Sequence, residues 1–263
     1  MSENRPFSME TAACDEEYEP SSEYDSSFAL QIFAAREAVF KILAKESLSI
    51  HEKLIVILDM GSKIQQCINT DEYDNIKSVV NDYLKEGIAH TLDETRNLSD
   101  SGQFEDISLQ QGIRQILYPY EEMEVLNPEW EVILKDIIDS LFEQMSDEEY
   151  NILNEEFGTY MVSRAYEYRQ LLEYLVFRYF AKSIYDYDFL GKCQMLVTNF
   201  FVIRQMDIIR WLDNHREYSF KDRMDVVHIF SRQVEYSEDN IETVSYTHLR
   251  AHETLSDLVC RLL

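Results

Sequence analysis

The chain has 263 residues, with only 6 glycines and 4 prolines, so few residues interrupt helices. Its formal net charge of −26 argues against a nucleic-acid binder, because phosphate contacts need clustered lysine and arginine. The 4 cysteines are scattered and form no disulfide framework or paired-cysteine motif, so we expect a protein of the reducing cytoplasm without a metal site. Met1–Glu10 has neither the basic start nor the apolar core of a signal peptide.

The first part of the chain is predicted to be an acidic lead-in followed by a small helical subdomain. Residues 1–27 have little apolar surface to bury, and we expect them to be flexible. Residues 28–89 form an N-terminal helical subdomain, because apolar residues recur there at helical spacing, and Ser49 with Glu52 makes a capping-box pattern. Residues 90–106 are rich in Asp, Glu, Ser, Thr and Asn, and we predict a linker there.

Residues 107–243 are predicted to be the main helical bundle, truncated at its C-terminus. A short helix is expected to stop at Pro119, because proline cannot continue a helix. The starts of later helices are marked by three capping residues, Asn127, Ser146 and Ser219.

Two strongly apolar segments, at about 166–183 and 188–213, are predicted to be the antiparallel central pair of this bundle. A helix that is apolar over most of its circumference is buried on most sides. Lys192, Arg204, Asp207 and Arg210 interrupt the second segment, so it lacks an apolar window of membrane length. We therefore predict an all-α fold, an irregular multi-helix bundle, and no membrane partner.

Charges within the apolar segments are expected to pair or to reach water, because desolvation is costly. These are Glu173, Arg178, Arg204 and Asp207. Arg204 and Asp207 lie three residues apart and share a helix face, so we predict a structural ion pair; a polar pocket between helices is the alternative. The aromatic residues of 166–180 fit helix packing or, alternatively, the wall of an adenine site.

Residues 244–263, VSYTHLRAHETLSDLVCRLL, resemble a translated sequencing-library adaptor of the transposase type. The same reading frame fits the constant adaptor sequence before and after its variable index. We therefore expect the natural sequence to end near Thr243. No ligand or catalytic role is expected for His248, His252 or Cys260.

Three segments resemble the flagellin lysine-N-methylase family. Glu167–Phe180 (EYRQLLEYLVFRYF) resembles its E-N-Y-L-x-x-Y-L-F-R-x-x-F segment. Ala35–Met60 resembles its I-R-E-x-x-x-x-I-L-Q-x-x-x-x-S-L-x-E-R-L stretch. Phe230–Ile241 (FSRQVEYSEDNI) resembles its late motif, Y/F-S-R-x-I/V-E-H-S-x-x-N-L, with Tyr236 where histidine is common.

The resemblance implies that the parent protein transfers methyl groups from S-adenosylmethionine to lysine side chains of flagellin or another protein. It also implies an iron–sulfur cluster on an N-terminal cysteine-rich segment. Such a segment is missing here, so we expect a C-terminal helical fragment that is inactive alone and carries no cofactor.

Six residues are identical to the residue that the family's motifs usually have at that position: Arg178, Ser231, Arg232, Glu235, Ser237 and Asn240. The candidates for catalysis among them are Glu235, Arg232 and Arg178, with Glu235 accepting the lysine proton or orienting the amine. The alternative function is an acidic all-helical interaction module that binds a basic partner without catalysis.

Overall fold

The computed structural model describes residues 26–100 and 108–247, and within these ranges every regular element is helical, which confirms the all-α prediction. No helix among the described residues combines the length and the apolar composition that crossing a membrane requires. The α-helices are α1 (Ser26–Leu43), α2 (Ile50–Asn69), α3 (Ile76–Asp82), α4 (Ile88–Asp100), α5 (Leu109–Glu121), α6 (Pro128–Ile137), α7 (Asp147–Met161), α8 (Ala165–Tyr179), α9 (Ser183–Asp186), α10 (Phe189–Asp213), α11 (Phe220–Val234) and α12 (Glu238–Thr247). Short 3₁₀ or π turns join several of them: Tyr73–Asn75, Tyr83–Gly87, Ile138–Glu143, Val162–Arg164 and Phe180–Lys182.

The described chain divides into two compact units. The first holds residues 26–97 and 165–193, and the second holds 98–100, 108–164 and 194–247. This division differs from the predicted contiguous bundle over 107–243, because α8 packs on α1 and α2 of the first unit. The two predicted central segments are helical, but α8 belongs to the first unit, whereas α10 begins there and continues into the second.

Local sequence signals explain how the helices of the first unit begin and pack. The apolar stripe of α1 is buried, including Ile32 and Val39. Ser49 Oγ accepts a hydrogen bond from the Glu52 N–H at 3.1 Å, and the Glu52 carboxylate accepts one from the Ser49 N–H at 2.8 Å. This reciprocal cap satisfies two N–H groups that a helix start leaves without partners, and it confirms the predicted start of α2.

Helix α4 occupies residues that the sequence analysis assigned to a linker, so that prediction is wrong for residues 90–100. Thr91, Leu92 and Thr95 form a narrow buried face on this otherwise polar helix. The Thr91 hydroxyl donates to Asp59 on α2 at 2.6 Å. Tertiary contacts of this kind override weak local propensity, and polarity alone does not distinguish such a helix from a loop. The rest of the predicted linker, 101–106, and residues 1–25 of the lead-in lie outside the described residues.

Three further points in the second unit concern helix ends. Pro119 does not stop α5, which continues to Glu121, so proline occupies the last turn. The predicted caps of later helices are confirmed, since Asn127, Ser146 and Ser219 each accept a backbone N–H with their side chains. Helix α12 runs past Thr243 to Thr247, and Val244 is buried; residues 248–263 lie outside the described residues.

Close helix packing in the first unit depends on Gly61 of α2. A methyl group at this position would lie 2.6 Å from Sγ and 3.2 Å from Cβ of Cys193, which is fully buried at the start of α10. Protein interiors have few voids to absorb such an overlap. The absence of a side chain at Gly61 therefore sets how closely α2 approaches this part of α10.

We expect Gly61→Ala to lower the free energy of unfolding by about 1–3 kcal/mol, because overpacking outweighs the better helix propensity of alanine. Urea unfolding measures the change. In a Cys193→Ala background, which removes the sulfur, the same substitution should cost less.

Gly158→Ala on α7 is the matched control. Its added methyl would lie 3.6 Å from Arg204 Nη2, an ordinary contact, so stability should stay the same or rise. Equal effects of Gly61→Ala and Gly158→Ala would contradict the packing argument.

Candidate functional site

The late motif forms the corner between α11 and α12, and most of its matched residues act within the fold. Ser231 Oγ donates to Glu235 Oε2 at 2.5 Å, one helical turn away. Ser237 Oγ accepts the Asn240 N–H at 3.2 Å and thereby caps α12. Ser231 and Glu235 of the motif therefore lie where α11 ends, and Ser237 lies where α12 begins.

Asn240 and Gln233 join this corner to the loop that precedes α6. Asn240, only 1 % exposed, accepts the Glu124 N–H at 3.1 Å and donates to the carbonyl oxygens of Glu124 and Gln233 at 3.0 and 2.8 Å. Gln233 is fully buried; its Oε1 accepts the N–H groups of Leu126 and Asn127 at 3.0 and 3.3 Å, and its Nε2 donates to the Glu124 carbonyl at 2.6 Å. We call these two amides and the backbone they hold the amide joint. The joint fixes where α6 begins.

The three candidate catalytic residues lie in different surroundings. Glu235 is 9 % exposed and already accepts the Ser231 hydroxyl, whereas Arg232 is exposed on α11. Arg178 belongs to the first unit and is exposed, with its guanidinium 5.8 Å from the Tyr179 ring. The exposure of Arg178 agrees with the expectation that charges within the apolar segments pair or reach water. A catalytic role for these three residues stays a prediction.

The buried aspartate of α10 does not have the partner that the sequence analysis assigned to it. Asp207 pairs with Arg223 of α11 at 2.5 Å and also accepts the Tyr218 hydroxyl. Arg204 instead donates to the Asn154 carbonyl of α7 at 3.0 Å and lies over the Phe157 ring. Both residues are buried, as predicted, but each one faces a different neighbouring element. The Asp207–Arg223 pair is a structural link between α10 and α11.

The first unit contains its own buried charges, Lys53 of α2 with Arg169 and Glu173 of α8. The nearest atoms of Arg169 and Glu173 are 3.6 Å apart. Burial lowers the pKa of Lys53, and the charge of Arg169 lowers it further, while Glu173 and Glu46 oppose the shift. The buried positive charge of Lys53 is therefore opposed by burial and by Arg169, and is favoured by Glu173 and Glu46.

Among the described residues, a groove of about 400 Å³ in the second unit is a candidate binding site; we call it the first groove. Its size falls within the usual range of small-ligand sites. Three elements supply its walls: α6, the last turn of α10 and the middle of α11. Its apolar floor is aliphatic and consists of Val132, Ile133, Ile209 and Ile229.

The charged residues of the first groove are three carboxylates and one guanidinium: Glu129, Asp136, Asp213 and Arg210. The positive charge of Arg210 also acts on Asp222, outside the groove. Burial alone would raise the pKa of Asp222, but hydrogen bonds from Ser219 and Asn214 and the charge of Arg210 stabilise the carboxylate and lower this pKa. The groove consequently has an excess of negative charge. An aliphatic floor with an acidic rim suits a ligand that has a hydrocarbon stem and a cationic end.

The described residues do not fit an iron–sulfur cluster. Thiolates are the ligands of such clusters, and burial raises the pKa of the Cys193 thiol and of the Cys67 thiol. No group of three or more His, Cys, Asp or Glu side chains among the described residues has the spacing of a metal site. The first groove also does not fit the adenine of S-adenosylmethionine, because its floor offers no aromatic face.

The sequence analysis did not predict the first groove. One signal was present, since Glu129, Val132 and Asp136 recur at helical spacing and place a valine, 62 % exposed, between carboxylates. Asp213 and Ile229 come from other helices, and nothing local in the sequence brings them to α6. The sequence therefore contained one signal, an aliphatic residue between acidic residues at helical spacing, and its exposure is known only from the structure.

Comparison with family models matches residues 36–258 to the FliB lysine N-methylase C-terminal domain. The match includes Glu167–Phe180 and the late motif, and it extends into the segment that resembles an adaptor. Neither the comparison with curated proteins nor the comparison with solved structures gave a match. Because the match covers most of the chain, this protein belongs to the FliB lysine N-methylase C-terminal domain family.

Proposed function

We propose that this chain is the part of a protein lysine N-methylase that recognises the substrate lysine, and that the intact protein methylates flagellin from S-adenosylmethionine. Family membership supports lysine as the substrate. The observation that carries the proposal is the first groove, whose aliphatic floor matches the four-carbon stem of lysine. Its acidic rim matches the ammonium group.

The chemistry of the first groove favours binding over activation. During methyl transfer the S–CH₃ bond breaks, an N–CH₃ bond forms and the lysine nitrogen loses a proton. A nearby carboxylate stabilises the charged ammonium and raises its pKa, which opposes proton loss. The rim formed by Glu129, Asp136 and Asp213 therefore holds and orients the charged side chain, and deprotonation belongs to another group.

The test is the affinity of the chain for a short peptide with one lysine, compared with the same peptide after Nε-acetylation. We expect the acetylated peptide to bind more weakly, because it has lost its charge. Asp136→Asn/Asp213→Asn should weaken binding of the unmodified peptide by about 2- to 30-fold, since two exposed charge contacts contribute about 0.2–1 kcal/mol each. Titration calorimetry at low and at physiological salt measures both effects.

Glu148→Gln/Glu155→Gln is the matched control, since it removes two exposed carboxylates of α7 in the same unit. It should leave the affinity within about twofold of the parent. Equal binding of both peptides, or equal losses in the two double variants, would overturn the assignment of the groove.

The alternative, an acidic interaction module without catalysis, is favoured by the net charge of −26. It predicts the same lysine binding but no chemistry. Transfer of a labelled methyl group by the intact protein to a lysine-containing substrate distinguishes the two functions.

A further inference from the structure

Helix α6 has a second groove on its other flank, with a volume of about 230 Å³. Tyr120, Trp130 and Leu134 give this second groove an apolar floor. The charged residues along it are Glu121, Glu131, Lys135 and Asp139. Glu121 is already paired with Arg114, with Nη2 and Oε2 3.1 Å apart. The carboxylates of Glu131 and Asp139 then outnumber the single ammonium of Lys135, so the second groove has a small excess of negative charge.

The helical repeat explains why α6 separates the two grooves. At about 100° per residue, Glu129, Val132 and Asp136 lie on one flank of the helix. Glu131 and Leu134 lie on the opposite flank, with the buried Ile137 facing the core between them. A helix with its side chains is about 10–12 Å across, so the two acidic rims are about 10 Å apart.

Helix α6 therefore forms a convex ridge with an acidic, apolar-floored groove on each side. Val132 of this ridge is 62 % exposed, and a large aliphatic side chain gains nothing from contact with water. Both grooves repeat the same combination of apolar floor and unbalanced carboxylates. This repetition indicates one partner that crosses α6 and enters both.

We propose that α6 binds a helical segment of a partner protein that presents two lysines seven residues apart, one for each groove. The proposal rests on the proposed function of the first groove. Seven residues of helix rise about 10.5 Å and return to nearly the same face, which matches the separation of the rims. An apolar residue at the fourth position after the first lysine would then contact Val132 as the two helices pack ridge into groove.

The experiment compares three helical alanine-based peptides of equal length by fluorescence anisotropy with the purified chain, and the two peptides with two lysines have identical composition. One peptide has lysines at i and i+7 and leucine at i+4, a second has the lysines at i and i+5, and a third has one lysine. We expect the i, i+7 peptide to bind about tenfold more tightly than either of the others, because its second lysine binds at high effective concentration. In the i, i+5 peptide the two side chains point about 140° apart, so only one can bind.

Two groove variants separate this proposal from the proposed function. Glu131→Gln/Asp139→Asn should abolish the advantage of the i, i+7 peptide and leave the single-lysine peptide within about twofold of its parent affinity. Asp136→Asn/Asp213→Asn should weaken all three peptides. Thermal melting of both variants confirms that they are folded before binding is measured.

Equal affinities for the i, i+7 and i, i+5 peptides would overturn the two-groove proposal, even if lysine still bound better than acetyl-lysine. Tighter binding of a proline-interrupted, extended peptide with lysines at i and i+3 would overturn the helical partner. Loss of the preference for lysine over acetyl-lysine would instead refute the function of the first groove.

Discussion

Asp207→Ala is expected to lower the free energy of unfolding by about 3–5 kcal/mol, the largest effect that we predict for a single substitution. Asp207 is fully buried and Arg223 is 5 % exposed, and their nearest atoms are 2.5 Å apart. Removal of the carboxylate leaves a guanidinium inside the protein without its counter-charge. It also leaves the Tyr218 hydroxyl without its acceptor. Urea unfolding of the variant and the parent measures the loss.

The double variant Asp207→Leu/Arg223→Met is the informative comparison. It removes both charges and keeps similar volumes, so it should be more stable than Asp207→Ala, because an apolar pair avoids the desolvation cost. Asp213→Ala, at an exposed aspartate of the same helix, should stay within about 0.5 kcal/mol of the parent. If Asp207→Ala and Asp213→Ala unfold at the same urea concentration, the buried pair contributes nothing to the link between α10 and α11.

Asn240→Ala is expected to cost about 2–3 kcal/mol, because three hydrogen bonds to the Asn240 side chain are lost inside the protein. The affected groups are the N–H and carbonyl of Glu124 and the carbonyl of Gln233. The residue belongs to the late motif of the family, so the result also shows whether this motif position serves the fold. The unfolding free energy in urea is the quantity to measure.

Arg232→Ala is the control within the same motif, since its side chain is exposed on α11. Its stability should remain within about 0.5 kcal/mol of the parent. Similar unfolding of Asn240→Ala and Arg232→Ala would show that the amide joint adds no stability. A loss of lysine binding in Arg232→Ala without a loss of stability would instead assign Arg232 to the substrate.

Features that depend on a few neighbouring residues could be predicted from the sequence. Ser49, Ser146 and Ser219 cap helices as expected, because the capping residue and its partner are three positions apart. The all-α fold followed from the rarity of glycine and proline and from apolar spacing. These signals are local, so the rest of the fold does not alter them.

Features that depend on distant residues could not be predicted in this way. The spacing of Arg204 and Asp207 correctly placed both on buried faces, but the partner of Asp207 lies sixteen residues further on another helix. Helix α4 depends on contacts of Thr91 with α2, and the first groove depends on Asp213 and Ile229 meeting α6. Sequence spacing gives the direction of a side chain on its own helix, whereas the neighbour that it meets is a property of the packing.

The amide joint has a consequence for how the surface of α6 can be redesigned. Gln233 and Asn240 hold the segment before α6 only through the backbone atoms of Glu124, Leu126 and Asn127. The side chains of that segment, and the exposed side chains of α6, can be exchanged without removing any of these hydrogen bonds. The exposed side chains of α6 can therefore be replaced while the backbone contacts that hold the start of α6 are kept. The exposed positions of α6 can be varied while α11 and α12 are left unchanged.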